Sequence, residues 1–121
     1  MNVRLDSDDP RPIYIQIMDE IRRGIVLGTL APNTSLPSVR QLAADLRVNP
    51  NTVQQAYREL ERDGVVYVQR GQGTYVMDGG MPRAERARLL REVSARAIRD
   101  AARHGFTPAE LVAGIREEES T

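Results

Sequence analysis

The sequence predicts a mostly α fold with a small β-hairpin: an N-terminal winged helix-turn-helix followed by a short two-helix dimerisation segment. Three observations carry this expectation. Two helical patterns are joined by the tight break "RVNPN", and the second is closed by Asp63-Gly64. Two β-branched runs, "VVYVQ" and "TYVM", come next, divided by the glycine-rich "RGQG" of a hairpin. After a flexible "DGGMP", two more amphipathic patterns complete the chain. This order gives bounds of 1–78 for the winged helix-turn-helix, 79–82 for a linker and 83–121 for the helical segment.

Each element has its own local cause. In "DPRPIYIQI" two prolines fix an extended approach, and Pro12 suits the first turn of a helix. Ile17, Met18, Ile21 and Ile25 then recur as one apolar stripe, which leaves Gln16, Asp19, Glu20, Arg22 and Arg23 outside it. Gly28 ends that helix, and "TLAPNTSLP" is rich in turn formers, with room for a very short strand at most. Ser38 and Gln41 form a capping box for a short helix that buries Val39, Leu42, Ala43 and Leu46. Asn49 caps the next helix with Pro50 at its first position, and Val53, Ala56, Tyr57 and Leu60 line its buried face.

Beyond the hairpin, Ala87, Leu90, Val93, Ala97 and Ala101 form a long apolar stripe, widened by Leu89 and Ile98 and stopped at Gly105. Thr107 opens a last helix through a Thr-x-x-Glu box, with Leu111, Val112 and Ile115 on one side. Two helices make too small a core to stand alone. A second copy is therefore expected to cover Ala87, Leu90, Val93, Ala97, Ile98, Ala101, Leu111 and Ile115. The terminal "REEES" reads as a frayed, solvated tail.

Composition narrows the function. A chain of 121 residues has no room for a large enclosed active site. It has no cysteine, so thiolate metal sites and cysteine nucleophiles are excluded, and its single histidine, His104, rules out a multi-histidine metal site. His104 reads as a favourable charge near a helix end. No catalytic residues, cofactor or metal are expected, and no enzyme. The N-terminus lacks the apolar run of a signal peptide, and no stretch approaches the ~20 apolar residues that span a bilayer, so a cytoplasmic protein without a membrane partner is expected. Seventeen basic and seventeen acidic residues cancel. Any nucleic-acid partner must therefore be argued from local arrangement. All the basic residues are arginine, a pattern read as codon bias before it is read as phosphate recognition.

At "PIYIQI", at "LAPNTSLPSVRQLAADLRVNPNTVQQAYRELERDG" and at "RGQGTYV", the chain resembles the GntR transcription regulators, above all their small YtrA-like subgroup. The resemblance covers nearly all of Ile13 to Val76, and in that order the motifs are highly specific as a set. It implies operator contacts from Ser38 and Arg40, from Asn49, Asn51, Thr52, Gln54 and Gln55, and from Arg70, Gly71 and Gly73 in the wing. Many family members carry arginines where this chain has Pro50 and Gln54; within the subgroup, "NPNTV" is usual. The resemblance also implies a repressor, acting on its own operon and on genes for transporters of the ATP-binding-cassette type.

The chemistry of these side chains agrees with those roles. Asn and Gln can pair bidentately with adenine N6 and N7, each good pair giving about 1–3 kcal/mol of discrimination. Thr52 can meet a thymine methyl or a phosphate. Ser38, with a helix dipole behind it, favours phosphate. Arg40 and Arg58 add contacts that release counterions and hold register without reading sequence. The plainer reading of the same residues is a cap at Asn49, a solvated face at Gln54 and Gln55, a turn at Arg70, and core positions for Tyr57 and Tyr67.

The expected partners are thus double-stranded operator DNA and a second copy of the chain, on a palindromic site. No pocket-forming domain follows the wing, so the identity of any small-molecule effector is unknown from sequence. The competing reading is a winged-helix protein-interaction adaptor without DNA binding, supported by the neutral net charge.

Overall fold

The computed structural model describes residues 1–121. Five helices and one hairpin follow in order: α1 (Ile13–Leu27), α2 (Val39–Leu46), α3 (Pro50–Arg62), β1 (Val66–Gln69), β2 (Gly73–Val76), α4 (Arg83–Arg103) and α5 (Pro108–Glu119). The chain divides into two compact units, residues 1–85 and 86–121.

In the first unit, α1 and α2 pack on α3, and α3 packs on β1. The core joins Ile17 and Ile21 of α1, Leu42 of α2, Val53 and Leu60 of α3, and Val65, Val66 and Val76 of the hairpin. Burying each such side chain fully contributes about 1.5–3 kcal/mol. The stripes read from sequence in α1 and α3 are buried, whereas in α2 Leu42 and Ala43 are buried and Val39 and Leu46 pack half-buried against the same core.

Two polar residues of α1 depart from that reading. Gln16 and Arg22, expected outside the stripe, are both buried, at 7% and 4% exposure. Each is drawn in by a partner far away in sequence. Gln16 accepts from the Asp6 backbone N–H at 3.0 Å and donates to the Arg11 carbonyl at 3.1 Å, clamping the N-terminal segment. Arg22 pairs with Asp63 and Glu85. Pro12 also sits one step earlier than expected. It is the N-cap in extended backbone, and its carbonyl accepts the first helical bonds, from Ile15 and Gln16. The Arg11 guanidinium, held by Asp9 and Asp19, has its pKa pushed up by the Asp9 hydrogen bond above all.

The predicted local signals appear as geometry. Gly28 closes α1 with φ 85°. Ser38 and Gln41 exchange both bonds of the capping box, and Asn49 caps α3 with Pro50 at its first position. The hairpin is antiparallel, in the register Val66↔Val76 to Gln69↔Gly73. "TLAPNTSLP" adds one isolated bridge, Ser35 to Tyr75, flanked by bonds from Leu36 N–H to Thr74 O and from Val76 N–H to Thr34 O.

In the second unit, Gly105 adopts φ 86° after α4, and Thr107 and Glu110 complete the expected capping box of α5. The acidic end is helical to Glu119 and not frayed. Its last carbonyls find donors, since the Ser120 and Thr121 hydroxyls bond to Glu117 O and Glu118 O. No helix is long and apolar enough to cross a membrane.

Candidate nucleic-acid interface

The candidate interface is built on the pair α2 and α3. Between them the chain turns through Arg47, in left-handed backbone at φ 57°, with the Val48 N–H returning to Ala43 O at 3.0 Å. Tyr57 locks the pair from beneath. It is buried, and its hydroxyl donates to the Pro37 carbonyl just ahead of α2 at 2.7 Å. Burial pushes the Tyr57 hydroxyl well above the usual tyrosine range, so it stays a donor.

With Val53, Ala56, Tyr57 and Leu60 turned inward, the opposite face of α3 is left to solvent. Asn51, Gln54, Gln55 and Arg58 are all exposed there, and Thr52 is half-buried. The Asn49 side-chain oxygen accepts from the Asn51 N–H at 2.8 Å, which leaves the Asn49 NH2 group to donate outward. Ser38 is occupied in the same way as an acceptor, from the Gln41 N–H at 3.0 Å, so its hydroxyl proton remains available to an incoming anion. Neither α2 nor α3 has an acidic residue in its first turn. Both positive helix ends are therefore capped by neutral side chains and carry no carboxylate in their own first turn.

The hairpin supplies a second edge. Arg70, Gly71, Gln72 and Gly73 are exposed at its tip, with Gly71 at φ 79° and Gly73 at φ 131°. A side chain at either glycine would meet open space but would force a left-handed backbone that only glycine adopts easily. The base of the wing is braced. Tyr67 and Tyr75 stack at 5.5 Å, the Tyr67 hydroxyl donates to Asn33 Oδ1 at 3.0 Å, and Asn33 Nδ2 donates to Asp78 at 2.9 Å. Tyr67 therefore works as a strut.

Ser38, Arg40, Asn49, Asn51, Gln54, Gln55, Arg58 and Arg70 are thus surface groups of one unit. Sequence pattern does not single out two further exposed groups beside them, Arg47 in the turn and Gln72 at the wing tip. A non-glycine residue at a helix C-cap, as Arg47 is, is the one local signal available for the first. No group of three or more His, Asp or Glu side chains is placed to hold a metal ion.

The residues proposed for dimerisation lie in the second unit. Leu90, Val93, Ile98 and Ile115 are exposed, Leu90 at 66%, and Ala87 is open as well. Ala97 and Leu111 are half-buried, whereas Ala101 is buried within the tail itself.

Residues 13–76 match the profile of the bacterial regulatory proteins of the gntR family. The uncharacterized HTH-type transcriptional regulator YhcF of Bacillus subtilis is 40% identical over 107 residues, 88% of each chain. The HTH-type transcriptional repressor YtrA of the same organism is 42% identical over 76 residues, which are 63% of this chain and 58% of that one. Among solved structures, a GntR family transcriptional regulator from Listeria monocytogenes superposes with a TM-score of 0.74 at 34% identity, over 91% of this chain and 97% of that chain.

Proposed function

The chain belongs to the GntR family of bacterial regulators and is a transcriptional regulator, not an enzyme; from that premise we propose that it is a repressor that binds a palindromic operator as a homodimer. The observation that carries the reading is the sidedness of α3, where a fully buried apolar face stands opposite exposed Asn51, Gln54, Gln55 and Arg58. A solvated helix needs no such set of amide donors and acceptors next to two helix ends without a first-turn carboxylate and a glycine-tipped wing. In this reading α3 enters the major groove, α2 meets the backbone through Ser38 and Arg40, and the wing brings Arg70 to the flanking minor groove. Arg47 and Gln72 join them as backbone contacts. The likeness to the repressor YtrA supports the sign of regulation and the subgroup. The resemblance of the sequence to the YtrA-like subgroup implies that the regulated genes are its own operon and genes for transporters of the ATP-binding-cassette type, and that the protein works in the cytoplasm.

One small winged helix reads a short site, and pairing two of them doubles the contacts. The exposed stripe Leu90, Val93 and Ile98 supports the tail as the surface that pairs them. Selection of bound duplex from a randomised library tests the whole reading. It should return two inverted half-sites, with binding that weakens steeply as salt rises. The absence of salt-dependent binding to duplex would favour the adaptor reading instead.

A further inference from the structure

Arg22 is a charge that the DNA-facing surface does not use, and it is among the most secluded polar groups of the molecule. Its side chain is 5% exposed, and Nη2 lies 2.7 Å from Asp63 Oδ2 and 3.2 Å from Glu85 Oε2. The same guanidinium keeps a buried Nε that finds no acceptor. A buried ionic cluster of this kind is a poor source of stability, because desolvation offsets much of the attraction and apolar replacements often do as well. What it does supply is registry, since directional bonds to a planar fork hold their partners in one geometry.

The partners are telling. Asp63 is the C-cap of α3, the helix assigned to base reading, and Glu85 lies in the first turn of α4, through which the chain passes into the tail. Arg22 and Asp63 fall inside the matched family region, residues 13–76; Glu85 falls outside it. One guanidinium of α1 therefore binds the end of the reading helix and the start of the tail at once.

We propose that Arg22 and Glu85 form a latch that fixes the start of α4 to the end of α3, and thereby sets the spacing at which two half-sites are accepted. The proposal rests on the homodimer reading above. Arg22 and Glu85 act as positioning residues: neither touches DNA, and both act through Asp63 and α3. Removing Glu85 leaves Arg22 paired with Asp63, so the domain keeps a neutral buried pair and its fold.

The test uses the full chain, its Glu85→Ala variant, and operators obtained by selection whose spacer is then changed by two base pairs, about a fifth of a helical turn. Light scattering and an isolated half-site duplex serve as controls for assembly and for reading. The unaltered protein should lose about tenfold or more in affinity on the altered spacer, because only one reader can then engage well. Glu85→Ala should remain dimeric, bind the half-site as before, and lose only about threefold or less on the altered spacer. Glu85→Gln, which keeps an oxygen for Arg22, should recover much of the parent's discrimination, and Glu85→Leu, which also removes that oxygen, carries the same test if the alanine variant misfolds. A Glu85→Ala dimer with the parent's full spacer dependence overturns the latch while leaving the dimer reading intact. A dimeric parent chain that is indifferent to spacing overturns the latch alone, and a monomeric parent overturns both.

Discussion

Gln54 and Arg40 are both exposed on neighbouring helices, yet their removal should weaken binding in different ways. Gln54 stands on the outer face of α3, where a carboxamide can pair with a base edge. Its replacement by alanine should cost about 1–3 kcal/mol on the selected operator and relax preference at one base position. Arg40, in the first turn of α2, meets phosphate in the proposed reading, so Arg40→Ala should weaken all sequences alike and make the salt slope shallower by about one unit. Titrations of cognate and random duplex at several salt concentrations separate the two; equal losses on both duplexes for Gln54→Ala would remove it from base reading. Tyr57 belongs to the scaffold. Because burial raises its pKa, its contribution is whole below the ordinary tyrosine value of about 10 and is lost as pH rises from there through the folded value. Tyr57→Phe should cost about 1 kcal/mol near neutral pH by leaving the Pro37 carbonyl unpaired, and it should reduce the alkaline loss of stability followed by thermal unfolding.

At the scale of elements, the wing makes the sharpest claim. Its strands are short, and its rigidity comes from the Tyr67–Tyr75 stack and the Asn33 bonds at its base, well away from the tip. Gly71→Val places its side chain in open space but strains a backbone at φ 79°. It should therefore distort the tip without unfolding the core, and reduce operator affinity at unchanged helical circular dichroism. Unchanged affinity in that folded variant would mean that the wing stays off the DNA. The helices were legible at this scale because their signals are local. Ser38 with Gln41, Asn49 with Asn51, and Thr107 with Glu110 lie within three residues of each other, and such cap bonds depend on local chain geometry.

At the scale of the whole molecule, the exposed stripe of α4 makes the tail an assembly surface in the proposed reading. A chain ending at Glu85, the boundary of the first compact unit, keeps the Arg22 cluster and should be a folded monomer. It should bind one half-site and lose the joint affinity of two tethered readers, a factor of about 10²–10⁴. Light scattering on both lengths decides this. A truncated chain that still dimerises would move the interface into the winged-helix unit.

The order and type of the elements, the caps of α2, α3 and α5, and the polar face of α3 were all written in local pattern, because periodicity, capping and turn chemistry act over a few residues. The tertiary structure alone decided the fate of Gln16 and Arg22. Both look like solvent-facing residues by helical spacing, and both are buried because their partners, Asp6 and Arg11 for one and Asp63 and Glu85 for the other, come from other segments. The same holds for the tie from Tyr57 to Pro37 and for the strut from Tyr67 to Asn33. A helical pattern records which face is apolar; it does not record which distant charge will follow a polar side chain into the core, since that pairing forms only once the helices have packed.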